Sequence, residues 1–232
     1  MEIVNQIKKT VNYFVDVLYP KNCQICTSDL HQNESFLCLE CKFDLPYINQ
    51  SKYNIEALEK LFWGRVQVEQ IFSLLNYQKG NQTQQILHQL KYNKKTKIAE
   101  HFGEMIGELI QHPNNYDFLI PVPLHPKKER QRGFNQSTII ANGISLTTKL
   151  PIIENIISRN TFNQSQTKFS KFDRWDNVKS IFTVNKPKLL EQKHVILIDD
   201  VLTTGATIEA CVQELLKVKG CKVSIAVLAA RI

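Results

Sequence analysis

Two adjacent carboxylates followed by a hydroxyl-rich turn are the strongest chemical signal in the chain. They lie in Val195–Thr207, which reads V-I-L-I-D-D-V-L-T-T-G-A-T. Val195–Ile198 is a short apolar, β-branched run of the kind buried on both faces of a parallel sheet. Asp199 and Asp200 stand at its carboxyl end, then Thr203, Thr204, Gly205, Ala206 and Thr207. Ile208, Val212, Leu215 and Leu216 then repeat at helical spacing. A turn that opens a helix offers unpaired backbone N–H groups and the positive end of the dipole, which suits a phosphate. Gly205 lets the backbone approach an anion closely, and the threonines add hydroxyl donors. Paired carboxylates beside that turn accept hydrogen bonds from vicinal hydroxyls or hold Mg²⁺ indirectly. A phosphate site next to a diol site describes a ribose 5-phosphate.

A second constellation lies near the N-terminus. Cys23, Cys26, Cys38 and Cys41 form two C-x-x-C knuckles separated by eleven residues. Two such knuckles supply four soft thiolates for a tetrahedral zinc ion, and four ligands leave no open catalytic position. In a reducing cytosol disulfides are the poorer explanation, with free or redox-active thiols as the alternative to zinc. His31, between the knuckles, reads as a solvated loop residue. Cys211 and Cys221 read as residues without a chemical role.

The elements that must position these groups follow from periodicity. Asn49–Lys60 reads as a polar connection into a short helix, and Val66–Tyr77 as extended chain. Gln82–Tyr92 and Ile98–Ile110 are helical in period. Lys91 and Tyr92 fit either a solvated lysine with a half-buried tyrosine or a place at the rim of the site. Tyr116–Val122 reads as a strand ending in P-V-P-L-H-P, whose prolines predict a rigid loop. The basic run Lys127, Lys128, Arg130, Arg132 follows, and the loop with its cations reads as a pyrophosphate clamp or as a charged solvated face. Ser137–Thr147 closes this unit as a helix. Ile152–Ile157, Ile181–Val184, Lys193–Ile198 and Lys222–Ala229 are the remaining strands.

Ser158–Lys179 is a long polar segment in which cations alternate with aromatics. It reads equally as a lid over a site, as a single-stranded nucleic-acid contact, or as a loop whose aromatics fold back on the core. Strands alternating with helices imply a mostly parallel sheet whose ligands sit beyond the strands' carboxyl ends. Both Val122–Pro126 and Asp199–Thr207 project there.

Composition bounds the rest. The 232 residues suit one α/β domain plus a small module, 43% are hydrophobic, and the formal net charge is +7. That charge fits phosphorylated ligands or nucleic acid and equally fits simple solubility. No apolar run approaches the roughly 18–20 residues that cross a bilayer. The first residues lack the apolar core of a signal peptide, and the chain is expected to be cytoplasmic. Ile3, Ile7, Val11, Phe14 and Leu18 trace one face of a helix, read as docking on the protein's own core or lying on a membrane surface.

The 195–207 stretch is similar to the 5-phosphoribosyl 1-pyrophosphate (PRPP) binding signature of type I phosphoribosyltransferases at all of its positions. With the four cysteines, H-Q-L-K-Y at 88–92 and P-V-P-L-H-P…R-G-F-N-Q at 121–136, the chain resembles the ComF family of competence-associated proteins over about residues 20–230. Arg159, Gln166, Arg174, Asn177 and Phe182 also fit that family's pattern in the long segment. The resemblance implies a zinc-ribbon-like module with an N-terminal helix over residues 1–50. It implies a type I phosphoribosyltransferase-like α/β domain, a mostly parallel sheet with flanking helices, over 51–232. It further implies that Asp199 and Asp200 bind ribose hydroxyls and indirectly Mg²⁺, and that Thr203–Thr207 bind the 5-phosphate. Pro123, Leu124 and His125 would form the pyrophosphate loop, with Lys127, Lys128 and Arg132 around the anionic groups.

The implied role is in DNA uptake during natural transformation, alongside other uptake proteins. Three functions stand open: Mg²⁺-dependent phosphoribosyl transfer from PRPP to an unknown acceptor, single-stranded DNA binding without catalysis, and PRPP sensing without turnover. The reaction needs charge neutralisation on the leaving group more than it needs a nucleophile.

Overall fold

The computed structural model describes residues 22–31, 34–50, 52–92, 96–159 and 181–232. The N-terminal helix face and Gln166, Arg174 and Asn177 of the long segment lie outside the described residues. The chain divides into two units, residues 1–46 and 47–232.

The larger unit is organised by β5 (His194–Leu202), whose Val195, Ile196, Leu197 and Ile198 are fully buried. A run that is apolar on both sides needs neighbours on both edges and both faces. The edges are β6 (Lys222–Ala230) and β2 (Phe118–Pro121), and β1 (Ile71–Asn76) pairs with the far side of β6. All three pairings are parallel, giving the order β1-β6-β5-β2. All four carboxyl ends therefore open on one edge.

One face of the sheet is covered by α4 (Thr96–Leu109), against β1 and β6, and α6 (Gln136–Thr148), against β5 and β2. These helices meet through glycines. A Cβ on Gly143 would lie 1.9 Å from the Glu100 carbonyl oxygen, and one on Gly103 would lie 2.3 Å from that of Ile140. Only hydrogen at both positions allows this approach, and it fixes where the N-terminus of α6 points. The other face carries α7 (Ala206–Leu216) and α2 (Lys52–Glu59). There Ile208, Cys211, Val212 and Leu215 join Leu58, Phe62, Val195, Leu197 and Val223 in one core. Cys211 and Cys221 are both buried. The helix α3 (Gln82–Tyr92) follows β1 and is seated by Ile86, Leu87 and Leu90.

The structure corrects several sequence expectations. Asp199 and Asp200 lie within β5, because pairing with β6 continues to Leu202↔Ala230. The extended region read over Val66–Tyr77 is a strand only from Ile71, since Val66 still donates to the Phe62 carbonyl in a turn. The strand read over Ile152–Ile157 reduces to a single bridge, Leu119↔Ile152. Asn155, at φ +59°, turns the chain out of extended geometry. The chain then forms β3 (Ile157–Arg159), antiparallel to β4 (Phe182–Val184). The rigid loop read over P-V-P-L-H-P ends at His125, because Pro126 already opens the helix α5 (Pro126–Arg132) that carries the basic run. Pro126 sits in its first turn, where a missing N–H costs nothing, and Gly133 ends it at φ +82°.

In the smaller unit the only helix among the described residues is α1 (Leu39–Phe43), one turn long, which starts at Cys38. Among the described residues no helix is long and apolar enough to cross a membrane.

Candidate functional site

The end of β5 places two carboxylates in different company. Asp199 Oδ1 accepts from the Ser137 hydroxyl at 3.1 Å and from the Asp200 backbone N–H at 2.9 Å. Asp200 Oδ2 pairs with the Lys91 ammonium at 2.8 Å. Burial, and then the Asp200 charge, push the Asp199 carboxyl up to about 7, against the pull of its hydrogen bonds and Lys91. The site is thus an acidic pair held between α3, which brings Lys91, and the N-terminus of α6, which brings Ser137.

Beyond the pair, Thr203 and Thr204 are exposed and Gly205 takes φ +79° at the cap of α7. No side chain caps this helix, so its first N–H groups have no side-chain acceptor at the cap. A small concavity, lined by Asp199 and Val201–Ile208, opens here. Its floor is tight: a Cβ on Gly205 would lie 3.2 Å from Cε1 of the buried Phe62. Arg65 bonds Glu209 in the first turn of α7 at 3.2 Å, tying the segment after Phe62 to the same helix.

The neighbouring loop leaves β2 at Pro121. His125 caps α5, its Nδ1 accepting from the Lys127 N–H at 3.2 Å. Pro123 and Leu124 are half-buried, whereas Lys127 and Lys128 are exposed on α5. Asn135 locks the unit: its Nδ2 donates to the Val122 carbonyl at 2.9 Å, and its Oδ1 accepts from the Ser137 N–H at 3.1 Å. Arg132 donates to Gln136 Oε1 at 2.8 Å, while Gln136 is buried with its Nε2 unpaired. Arg159 ends β3 with its guanidinium 5.5 Å from the Phe182 ring centroid.

Among the sequence-predicted residues, the structure therefore brings Asp199, Asp200 and Thr203–Thr207 together. It sets Pro123–His125 at the carboxyl end of the adjacent strand. Ser137, Asn135 and Gln136 were not singled out as site residues by sequence reasoning. The one available signal was an Asn directly before a helical run, an N-cap that fixes the first turn. Lys91, open between two readings, is in the site.

In the smaller unit the four Sγ atoms of Cys23, Cys26, Cys38 and Cys41 all lie within 4.8 Å of one another, with Cys26 and Cys38 at 3.6 Å. Sulfurs about 2.3 Å from a tetrahedral zinc stand just under 4 Å apart, so the donor set fits that ion. Thr27, at φ +64°, makes the first knuckle tight, and the Cys41 N–H donates to Cys38 Sγ at 3.3 Å. The Ser28 hydroxyl, 2.7 Å from Cys26 Sγ, draws that thiol down to about 6, toward the thiolate a metal needs. His31 is exposed.

Comparison with known proteins adds identity to this geometry. A family model described as the phosphoribosyl transferase domain matches residues 88–232. The DNA utilization protein YhgH of Shigella flexneri is 28% identical over 138 residues, 57% of this chain and 60% of that protein. Competence protein F of Haemophilus influenzae is 34% identical over 91 residues, covering 39% and 40%. Competence protein ComFC of Bacillus subtilis is 28% identical over 143 residues, covering 61% and 56%. In each case the match spans less than two thirds of the relative's length.

Proposed function

We propose, for a chain that belongs to the phosphoribosyl transferase domain family, that its larger unit binds PRPP at the carboxyl edge of the sheet and serves DNA uptake. The fold is the type I phosphoribosyltransferase arrangement, a parallel sheet with flanking helices. The observation that carries the reading is the juxtaposition of Asp199 and Asp200 with the open concavity at Thr203–Thr207. In this reading the free N–H groups at the start of α7 and the threonine hydroxyls hold the 5-phosphate. The carboxylates accept from the ribose hydroxyls, with Ser137 orienting Asp199 and Lys91 neutralising Asp200. Pro123–His125, stiffened by Pro121, Pro123 and Pro126 and fastened by Asn135, faces the pyrophosphate.

Through the ribose hydroxyls they would hold, Asp199 and Asp200 would also retain Mg²⁺ indirectly. Mg²⁺ held there would neutralise charge on the leaving pyrophosphate. Transfer to an acceptor then places little demand on the protein beyond positioning and exclusion of water. The names of the relatives support the biological half of the reading. The four-cysteine cluster would hold a structural zinc and perform no chemistry. A transformation assay with an Asp199→Asn/Asp200→Asn allele tests the link. Reduced DNA uptake at unchanged protein level supports it, and wild-type uptake separates the site from the process.

A further inference from the structure

Gln136 is a buried side chain that satisfies only half of its amide. It opens α6, is 2% exposed, and accepts from the Arg132 guanidinium through Oε1 at 2.8 Å. A guanidinium can only donate, so the amide oxygen must face it, and the atom left unpaired is the Nε2 donor. A buried donor without a partner costs stability that a packed apolar side chain would not. The bond to Arg132 also crosses a break between helices. Gly133, at φ +82°, ends α5, and Asn135 caps α6, so the contact clamps the turn between them. Arg132 is half-buried, whereas Lys127, Lys128 and Arg130 of the same basic run are exposed. The next residue along, Ser137, bonds Asp199 at 3.1 Å. The first turn of α6 therefore grips the arginine with one residue and the acidic pair with the next.

We infer that Gln136 is a positioning residue for Arg132, and that Arg132, not the lysines before it, is the cation of this run that recognises the pyrophosphate group of the ligand. A guanidinium is a planar fork of donors that meets phosphate oxygens two at a time. Such a contact depends on the plane of the fork, and the Gln136 amide oxygen holds that plane. A lysine presents a point charge on a flexible stem and needs no such support. Lys127, Lys128 and Arg130 then form a solvated face that supplies only general attraction for anions. The half-satisfied amide is thus kept for what it does to Arg132, a local conflict of the kind found at functional sites. This inference rests on the PRPP reading for the identity of the ligand, whereas the coupling of Gln136 to Arg132 belongs to the ligand-free chain.

The test uses the full zinc-loaded chain with Mg²⁺ and three probes in calorimetric titration: PRPP, inorganic pyrophosphate, and ribose 5-phosphate, which lacks the pyrophosphate group. Gln136→Met keeps the length of the side chain and removes the amide. It should weaken PRPP and pyrophosphate binding roughly tenfold, the scale of one hydrogen bond to a charged group, and leave ribose 5-phosphate binding unchanged. Its melting temperature should equal or exceed that of wild type, because the unpaired donor is gone. In an Arg132→Met background the same substitution should have no further effect on any probe, since Gln136 acts through the arginine. Unchanged PRPP binding by Gln136→Met overturns the inference, as does an equal loss for ribose 5-phosphate or a full Gln136 effect without Arg132. A variant that melts below wild type or fails to fold overturns it as well, because the amide is then structural. If wild type binds neither PRPP nor pyrophosphate, the PRPP reading itself falls and the inference with it; binding by wild type that Gln136→Met leaves intact sinks the inference alone.

Discussion

Ser137 and Asp199, 62 positions apart in the chain, meet at 3.1 Å. The hydroxyl belongs to the first turn of α6 and the carboxylate to the end of β5, so this bond joins the loop-and-helix unit after β2 to the acidic pair. Replacing Ser137 by Ala removes the donor and leaves the Asn135 cap in place, because that cap uses the Ser137 backbone. Stability should fall by about 1 kcal/mol and PRPP affinity by roughly fivefold, as for one ordinary hydrogen bond. Denaturant unfolding and calorimetry measure the two. Unchanged affinity would show that Asp199 needs no orientation.

The glycine contact between α4 and α6 should be as demanding as its distances. A methyl group at Gly143 or Gly103 meets backbone oxygen at 1.9 or 2.3 Å, and backbone cannot swing aside as a side chain can. Gly143→Ala should cost on the order of 3 kcal/mol. A midpoint shift in urea checks it, and a neutral result would mean that the helices separate freely.

Titration of Asp199 gives a stability signature with a definite sign. Its folded carboxyl titrates at about 7, above the value near 4 of an unfolded chain. The protonated form is favoured in the fold, so this group's contribution is fully present below about pH 4 and is lost as pH rises through about 7. Asp199→Asn keeps an acceptor for Ser137 and removes the charge. It should raise the melting temperature at pH 8 and change it little at pH 5; equal shifts at both would refute the assignment.

Metal removal should separate the six cysteines into two classes. Chelation should release one zinc per chain and expose four fast-reacting thiols, those of Cys23, Cys26, Cys38 and Cys41. Cys211 and Cys221 are buried in the larger unit and should stay slow until it unfolds. Thiol titration with zinc analysis checks this, and four fast thiols in the zinc-loaded protein would contradict it.

Much of this arrangement was legible in the residues. The apolar run Val195–Ile198 announces a doubly buried strand, and the alternation of strands and helices implies the parallel order that brings two loops to one edge. What was not legible depends on partners distant in the chain. Nothing local says that β5 continues through Asp200, since that follows from pairing with Ala229 and Ala230 of β6. Pro126 reads as a loop residue until His125 is seen to cap a helix behind it. Lys91 reads as a solvated lysine or a rim residue because periodicity places it on α3 without saying what lies beyond its tip. Asn155 reads as part of a strand because its positive φ is a choice of the tertiary fold.

The central claim is that the carboxyl edge of the sheet is a PRPP site, and calorimetric titration of PRPP with Mg²⁺ addresses it most directly. Wild type should bind with a dissociation constant in the range of roughly 1–100 μM, ordinary for a metabolite site, and Asp199→Asn/Asp200→Asn protein should show no heat of binding. Absence of binding to folded wild type, or equal binding to both proteins, would contradict the account.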